Sequence, residues 1–390
     1  MRRVDALVIG AGPAGSATAI RLAQGGASVL LVDRQRFPRD KPCGGGLTGR
    51  ALRHAPCDVG TVVERDVMGF AVRLRYRKRF ERRNEAPLIR MTQRRLLDAF
   101  LAEQAARAGA DFRDGVTVGT LTPGPDGVVA TIGGDRVRAD VVVGADGANG
   151  TTARAAGLAI DAHRGVALEG NADYGDLWPA PADDLALVEL GVVPGGYGWV
   201  FPKGDHVNVG VGGWGGEGPQ LRGHLARVCH ANGLDPAKLR DVRGHRLPMR
   251  RAGSPAQEGR VLLVGDAAGL VDPLSGDGMY EAFVSAELAA ETILSAAGTA
   301  EGLTRYEARL AAALDPHAGA SWGAKVALDR FPRTAFAVAR IPKVWTVVEG
   351  LLQGDVAHPR DARGLAQPPL RLLARLARVA GDPGAAFRAA

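Results

Sequence analysis

A chain of 390 residues, 46% hydrophobic and 23% charged, holds enough apolar material for two or three packed units and is too apolar to be disordered. Three scattered cysteines, Cys43, Cys57 and Cys229, exclude a disulfide framework and a C-x-x-C metal site, so we expect a reducing compartment and no metal. The net charge of +7 admits an anionic partner such as phosphate, acidic lipid or an acidic protein, though an Arg-rich composition gives the same excess on its own; we expect no nucleic acid.

The opening residues MRRVDALVIGAGPAG run straight into a strand, leaving no room ahead for a signal or transit peptide, and no run of 18 apolar residues exists to cross a membrane. The expectation is a cytoplasmic protein. VDALVIG, AGPAG, SATAIRLAQGG and ASVLLVDR read as strand, glycine turn, helix and strand, a βαβ unit. Gly10, Gly12 and Gly15 form G-x-G-x-x-G at the strand-to-helix turn, with Pro13 and Ala14 between them; Asp33, followed by Arg34, ends the next strand. Gly10 allows the tight turn, Gly12 lets a pyrophosphate reach the N–H groups at the helix start, and Gly15 lets the helix pack on the strand. Asp33 is placed to accept bonds from ribose hydroxyls.

DKPCGGGLTG, Asp40–Gly49, sets Cys43 before Gly44, Gly45 and Gly46. Three glycines in a row give up packing and cost backbone entropy, so something must come close to the chain there. RLRYRKRFERR, Arg73–Arg83, alternates. As one strand it puts Arg73, Arg75, Arg77 and Arg79 on one face and Leu74, Tyr76 and Phe80 on the other. That face suits a diphosphate, an acidic electron carrier or lipid headgroups, or it is a sheet edge guarded by charge.

Thr92–Gly109 reads as a helix with Leu96, Leu97, Phe100 and Leu101 on its apolar side, and VRADVVVGADGANG as a buried strand ending at Asp146 and Gly147. From about Val166 to Pro248 strand patterns dominate. Within them YGWVFP puts Tyr197, Trp199 and Phe201 on one face, an aromatic wall that pattern alone reads as core. NVGVGGWGG repeats the fingerprint spacing at Gly210, Gly212 and Gly215, but no helix starts there; a glycine strand beneath a ligand or another backbone is the better reading. GRVLLVGDAAG is a second strand and turn, at Gly265 and Asp266, followed by Pro273, Gly276, Gly278 and Met279, which opens a helix. From Thr304 the pattern is helical, interrupted by Pro316, Pro332, Pro342 and Pro359. It ends in PPLRLLARLARVAG, a basic amphipathic helix suited to a membrane surface or to the body of the protein.

A nicotinamide-only site has no use for a second acid-glycine turn so far downstream, whereas FAD extends its ribityl chain and ring beyond the first. We therefore expect FAD, with Asp266 at the ribityl or phosphate region. The helix start after Gly276 and Gly278 would face the pyrimidine edge and stabilise the charge of the reduced ring. The fold expected is α/β: a Rossmann-type FAD-binding domain of non-contiguous segments (1–68, 88–162 and 249–300), an inserted, mostly antiparallel β substrate domain (69–87 and 163–248), and a helical C-terminal region (301–390).

RRLLD at Arg94–Asp98, GADG at Gly144–Gly147 and GDAAG at Gly265–Gly269 resemble the FAD-dependent oxidoreductases of the aromatic-hydroxylase type. PCGGGL at Pro42–Leu47 and YGWVFPKG at Tyr197–Gly204 narrow the resemblance to the geranylgeranyl reductase family, over residues 1 to about 350. It implies that Arg94, Cys43, Gly44 and Gly45 contact FAD, that Tyr197, Trp199 and Phe201 line a pocket, and that the substrate is the isoprenoid chain of a lipid or quinone. Saturating such a bond takes a hydride from reduced flavin N5 and a proton from elsewhere. Cys43 is the candidate donor, since a free thiol has a pKa of about 8.5, and Tyr197 is the reserve. Lys41 nearby favours the thiolate and an apolar pocket favours the thiol. The glycines would then admit the flavin ring and the double bond, and Lys203 reads as a solvated loop residue. With no second dinucleotide domain in view, electrons are expected from NAD(P)H or a reduced ferredoxin, and a lipid substrate implies peripheral contact at the inner face of a membrane. The rivals are an FAD monooxygenase or halogenase of an aromatic small molecule, which has no job for Cys43, and a non-catalytic FAD-bearing protein that binds prenyl lipids.

Overall fold

The computed structural model describes residues 1–176, 184–296 and 299–381; residues 177–183, 297–298 and 382–390 of the expected segments lie outside that description. Buried aliphatic runs build a parallel sheet around Arg2–Ile9. Val29–Val32 pairs with it on one side and Asp135–Gly144 on the other; Asp111–Arg113 and Val261–Leu263 continue the parallel order outward. Val29–Val32 is buried at every position, as a strand covered on both faces must be. The helices Pro13–Gln24, Arg94–Arg107 and Met279–Ser295 cover one face, bringing Ile20, Leu97, Leu101 and Phe283 into a single core. The hairpin Val118–Gly124 and Gly127–Ile132 covers the other, setting Val128 and Ala130 against Leu7, Leu30 and Val142.

This order brings three glycine turns side by side at one edge. Ala145 N–H donates to Ile9 O at 2.8 Å, and Val264 N–H to Gly144 O at 3.0 Å. The crevice beyond the carboxyl ends of parallel strands is where such folds bind ligands.

A second, seven-stranded sheet runs in the order Arg240–Met249, His163–Asp173, His206–Trp214, Tyr197–Pro202, Leu185–Leu190, Gly69–Leu74, Lys78–Arg83. Its pairings are antiparallel except between Leu185–Leu190 and Gly69–Leu74. The helix Leu221–Ala231 packs Leu221, Leu225 and Val228 on Val207, Val209 and Val211. A three-stranded sheet, Gly46–Thr48, Ile89–Met91 and Arg65–Val67, carries the end of the glycine run. The fold class is the one expected: a parallel FAD-type sheet assembled from separate segments, a mostly antiparallel second sheet and a helical C-terminal region.

Three local expectations fail. RLRYRKRFERR is not one strand: Arg75 and Tyr76 take positive φ (51° and 60°) and turn the chain between Gly69–Leu74 and Lys78–Arg83. The four-arginine face is therefore broken, with Arg73 turned inward onto Glu189 at 2.6 Å and Lys78–Arg83 at the sheet edge. Leu96 is exposed, because the helix starts at Arg94 and buries Leu97 and Leu101 instead. Pro316 does not interrupt the last region; it lies inside Arg305–Arg330, which is held through the proline by buried Leu310, Leu314, Ala318 and Trp322. Pro332 and Pro342 do what proline does best in helices and occupy first-turn positions. Among the described residues, no helix is long and apolar enough to cross a membrane.

Candidate functional site

The fingerprint turn is built by contact. A Cβ on Gly10, whose φ is +103°, would lie 2.4 Å from Ala145 O, and one on Gly15 would lie 1.8 Å from Gly10 O. The first glycine thus lets two strand ends meet and the last lets the helix seat on the turn. Pro13 opens the helix, with Gly12 as its extended N-cap. Asp33 is buried and braces the turn, its Oδ2 accepting from Ala11 N–H and its Oδ1 from Gln35 N–H, both at 2.8 Å. Arg34 is exposed beside it.

Above Gly12 lies a pair of guanidinium groups. A Cβ there would meet Arg39 Nη2 at 3.5 Å and Arg94 Nη2 at 3.7 Å. Both arginines are aimed by one fully buried carboxylate: Asp98 takes Arg94 in a two-pronged bond of 2.7 and 2.8 Å and Arg39 Nη1 at 2.8 Å. Burial works against the charge on Arg94, and Asp98 outweighs it and holds the guanidinium charged. Arg39 Nη2 also lies 3.8 Å from Asp33 Oδ2, so two carboxylates hold two guanidinium groups whose donors face the helix start, a setting for a pyrophosphate. The family resemblance pointed to Arg94, and the sequence reading did not single out Arg39. The signal for Asp98 was its i, i+4 spacing from Arg94.

The second turn centres on Asp146. Its Oδ2 accepts from Thr151 N–H, Thr152 N–H and Thr152 Oγ, while its Oδ1 is buried without a partner. Gly147 has φ +76°, and Lys41 Nζ approaches its missing Cβ at 3.8 Å. In the third turn, Gly265 sits against Ala14, its added Cβ 3.0 Å from that methyl. Asp266 meets Lys41 Nζ at 3.2 Å and His245 Nε2 at 3.5 Å. Burial pushes the Asp266 carboxyl up, but Lys41 and His245 prevail and hold it well below the usual range. Lys41, expected to act on Cys43, is thus committed to Asp266. Beyond Pro273, Asp272 Oδ1 accepts from Leu274 N–H, Ser275 N–H and Ser275 Oγ, and Gly276 takes φ +67°. Gly278 caps the helix, and Asp277 Oδ1 accepts from Met279 N–H at 2.9 Å, so one donor of that helix start is already used.

These parts fit an FAD. The guanidinium pair over Gly12 suits its phosphates. The unpartnered Asp146 Oδ1 offers an acceptor, and the three turns line one crevice.

The glycine run is crowded by the protein itself. A Cβ on Gly44 would touch the Phe201 ring at 3.0 Å. One on Gly45 (φ +73°) would strike Thr92 O at 2.0 Å and Lys203 Nζ at 2.1 Å, and one on Gly46 would reach Ile89 at 2.8 Å. The close visitors are the protein's own aromatic ring, lysine and strand. Gly45→Ala is expected to destabilise the fold by roughly 3 kcal/mol, from left-handed backbone plus overpacking. Gly44→Ala meets only a side-chain ring and should cost less. Thermal denaturation of the two variants checks the order.

Lys203 is not a solvated loop residue. It is 2% exposed, and its Nζ donates to Thr92 O at 2.8 Å and to Gly44 O. Burial pulls its pKa down to about 8. Glu169, also missed, accepts from Cys43 N–H at 2.6 Å, and burial raises its carboxyl. An acid inside the apolar strand GVALEGNA was the available signal. Cys43 itself is half-buried, and its Sγ accepts from Gly45 N–H at 3.4 Å. Burial pushes the thiol above its ordinary value, with Arg94 and Lys203 pulling down and Glu169 pushing up. The outcome is a thiol at neutral pH. Iodoacetamide labelling of Cys43 in a Cys57→Ser background should therefore still be accelerating above pH 9; a plateau reached near pH 7 would mark a thiolate instead.

Tyr197, Trp199 and Phe201 do form a wall. Trp199 lies 6.0 Å from the Tyr197 ring and 6.1 Å from Phe201, stacked on the latter at 30°. Trp199 Nε1 donates to Asn208 Oδ1 at 2.7 Å. The decoy glycines explain themselves here, since a Cβ on Gly210 would lie 2.0 Å from the Trp199 indole. Tyr197 Oη donates to Ser275 O, and burial raises its pKa. The reserve donor's proton is thereby directed at a main-chain carbonyl.

Behind the loop, ligand atoms of Asp272, Glu281 and His317 lie within 4.8 Å of one another among the described residues. The cluster carries its own cation: Arg50 Nη1 contacts His317 Nε2, and the guanidinium lies 4.6 Å over the Tyr280 ring. Its charge acts on Glu281, Asp272 and Asp277.

A family model described as FAD binding domain matches residues 3–178. The chain is 32% identical to geranylgeranyl diphosphate reductase of Oryza sativa, over 78% of this chain and 69% of that protein. It is 31% identical to menaquinone reductase of Mycolicibacterium smegmatis, over 94% of this chain and 95% of that one. A solved structure of a geranylgeranyl bacteriochlorophyll reductase-like protein from Thermoplasma acidophilum superposes with a TM-score of 0.79 at 23% identity, over 96% of this chain and all of that one.

Proposed function

The chain belongs to the geranylgeranyl reductase family of FAD-dependent oxidoreductases, and on that premise we propose that it saturates carbon–carbon double bonds in the isoprenoid chain of a lipid or quinone. The observation that carries the reading is the meeting of Cys43–Gly44 with Trp199 and Phe201, at 3.0 Å between the place of a Gly44 Cβ and the Phe201 ring. A proton source and an aromatic wall stand together beside the arginine-lined crevice.

When bound and reduced, FAD supplies the hydride. The chain's residues supply the rest. Arg39, Arg94 and the fingerprint turn hold the phosphates, Asp33 fixes that turn, and Asp266 and Asp146 offer acceptors further along. Segments 1–68, 88–162 and 249–300 serve as the cofactor side, and 69–87 with 163–248 as the substrate side. A trialkyl double bond is polarised by nothing of its own, so its more substituted carbon gathers positive charge as the proton reaches the other carbon, and it is this carbon that would take the hydride. The faces of Tyr197, Trp199 and Phe201 favour that charge by about 0.5–2 kcal/mol each at best. Cys43 Sγ holds the proton that the other partner of the addition requires. The thiolate left behind sits in the field of Arg94 and Lys203 and takes a proton back from solvent. Tyr197, tied to Ser275 O, orients the wall. Electrons come from a dissociable donor, NAD(P)H or a reduced ferredoxin.

Oxygen consumption tests the reading against a monooxygenase. Reduced protein supplied with a polyprenyl substrate in air should form saturated product and no hydroxylated one. Stoichiometric oxygen uptake into a hydroxylated product, with the double bonds intact, overturns it.

A further inference from the structure

The C-terminal helix Gln367–Ala380 has two apolar sides facing different surroundings. Leu370 and Leu373 pack on a cluster of Val338, Val344, Ala362 and Ala366. On the outward side, Leu365 stays 77% exposed, Leu372 47% and Val379 83%. Leu365 lies in the short turn Gly364–Ala366 that leads into the helix. Within the helix, Leu372 and Val379 are seven residues apart, which at about 100° per residue keeps them within about 20° of one another. Arg371, Arg375 and Arg378 are exposed along one flank of this stripe and have no acidic partner among the described residues. Residues 331–381 hold eight Lys and Arg against three Asp and Glu, most of the chain's excess of +7.

We propose that this outward face docks the protein on an anionic lipid surface. The apolar stripe enters the boundary between headgroups and acyl chains while the arginine row meets lipid phosphates. The charge argues for this occupant over a second copy of the chain, because paired copies would bring two unneutralised arginine rows together. An exclusively electrostatic partner would leave Leu365, Leu372 and Val379 unused. The docking stands apart from the reductase reading, because vesicle binding is measured without turnover.

The experiment is flotation of the full-length, FAD-loaded protein with vesicles of phosphatidylcholine alone or mixed with phosphatidylglycerol, with solution mass measured by light scattering. Binding is expected only with phosphatidylglycerol and should weaken as salt is added. Two triple variants, Leu365→Ser/Leu372→Ser/Val379→Ser and Arg371→Gln/Arg375→Gln/Arg378→Gln, should each lose about ten-fold or more in vesicle affinity. Flavin content and melting temperature should stay at wild-type values in both. No wild-type binding to the anionic vesicles, or equal binding by the variants, overturns the proposal. So does a solution dimer that the serine variant converts to monomer while vesicle binding is unchanged.

Discussion

Cys43→Ala protein should bind FAD, accept electrons from dithionite, and saturate isoprenoid double bonds about 10²–10⁴ times more slowly than wild type, the usual worth of a positioned general acid. The loss is chemical, and a second substitution shows it. Cys43 Sγ accepts from Gly45 N–H at 3.4 Å, so alanine also leaves a turn donor without its acceptor, at about 1 kcal/mol. Serine restores an acceptor but is a far weaker acid than a thiol. If Cys43 only shapes the turn, Cys43→Ser recovers the rate; as proton donor, it stays slow. The pH profile adds an independent sign. A donor works in its protonated form, and burial raises this thiol above its ordinary value. The wild-type rate should therefore hold across neutral pH and fall as pH rises beyond 9, and the alanine variant should lose that alkaline limb. Wild-type turnover by Cys43→Ala would return the residue to a packing role.

Asp98→Ala is expected to give protein that purifies with little or no flavin and melts on the order of 10 °C lower. Asp98 is fully buried and holds Arg94 and Arg39 at 2.7–2.8 Å. Removing one member of a buried pair leaves uncompensated charge and costs about 3–5 kcal/mol. Here two guanidinium groups lose their anchor at once. Their aim over Gly12 is what the phosphates of FAD are read to need, so affinity falls with stability. Asp98→Asn preserves shape and one acceptor and should fall between. Flavin absorbance per mole of protein, measured before and after dialysis with added FAD, checks the first effect, and calorimetry checks the second. Normal flavin content in Asp98→Ala would mean that the arginine pair is not the phosphate cradle.

Much of this arrangement was legible because it is local. The fingerprint glycines with Asp33 and the turns at Asp146 and Asp266 each lie within a few residues of a buried strand, and strand-turn-helix grammar is written at that range. The glycine run announced that something comes close, but the visitor is named only by the fold: Phe201, Lys203 and Ile89 arrive from distant segments. The same holds for Glu169 on Cys43 N–H and Arg39 on Asp98. Lys203 was misread because solvation is the default for lysine, and burial depends on a tertiary contact with Gly44 O and Thr92 O. Alternation in RLRYRKRFERR misled for another reason. Periodicity assumes continuous extended backbone, and the positive φ of Arg75 and Tyr76 breaks it where no glycine marks the turn.

An anaerobic single turnover puts the central claim to its most direct test. Protein reduced with one equivalent of dithionite is mixed with a geranylgeranyl lipid or a menaquinone, the 450 nm flavin band is followed with time, and the product is weighed by mass spectrometry. The account predicts that flavin absorbance returns without oxygen and that each turnover adds two hydrogens to the isoprenoid chain, with deuterium built into the product when the reaction is run in deuterated water. A flavin that stays reduced while substrate binds, or a product of unchanged mass, would contradict it.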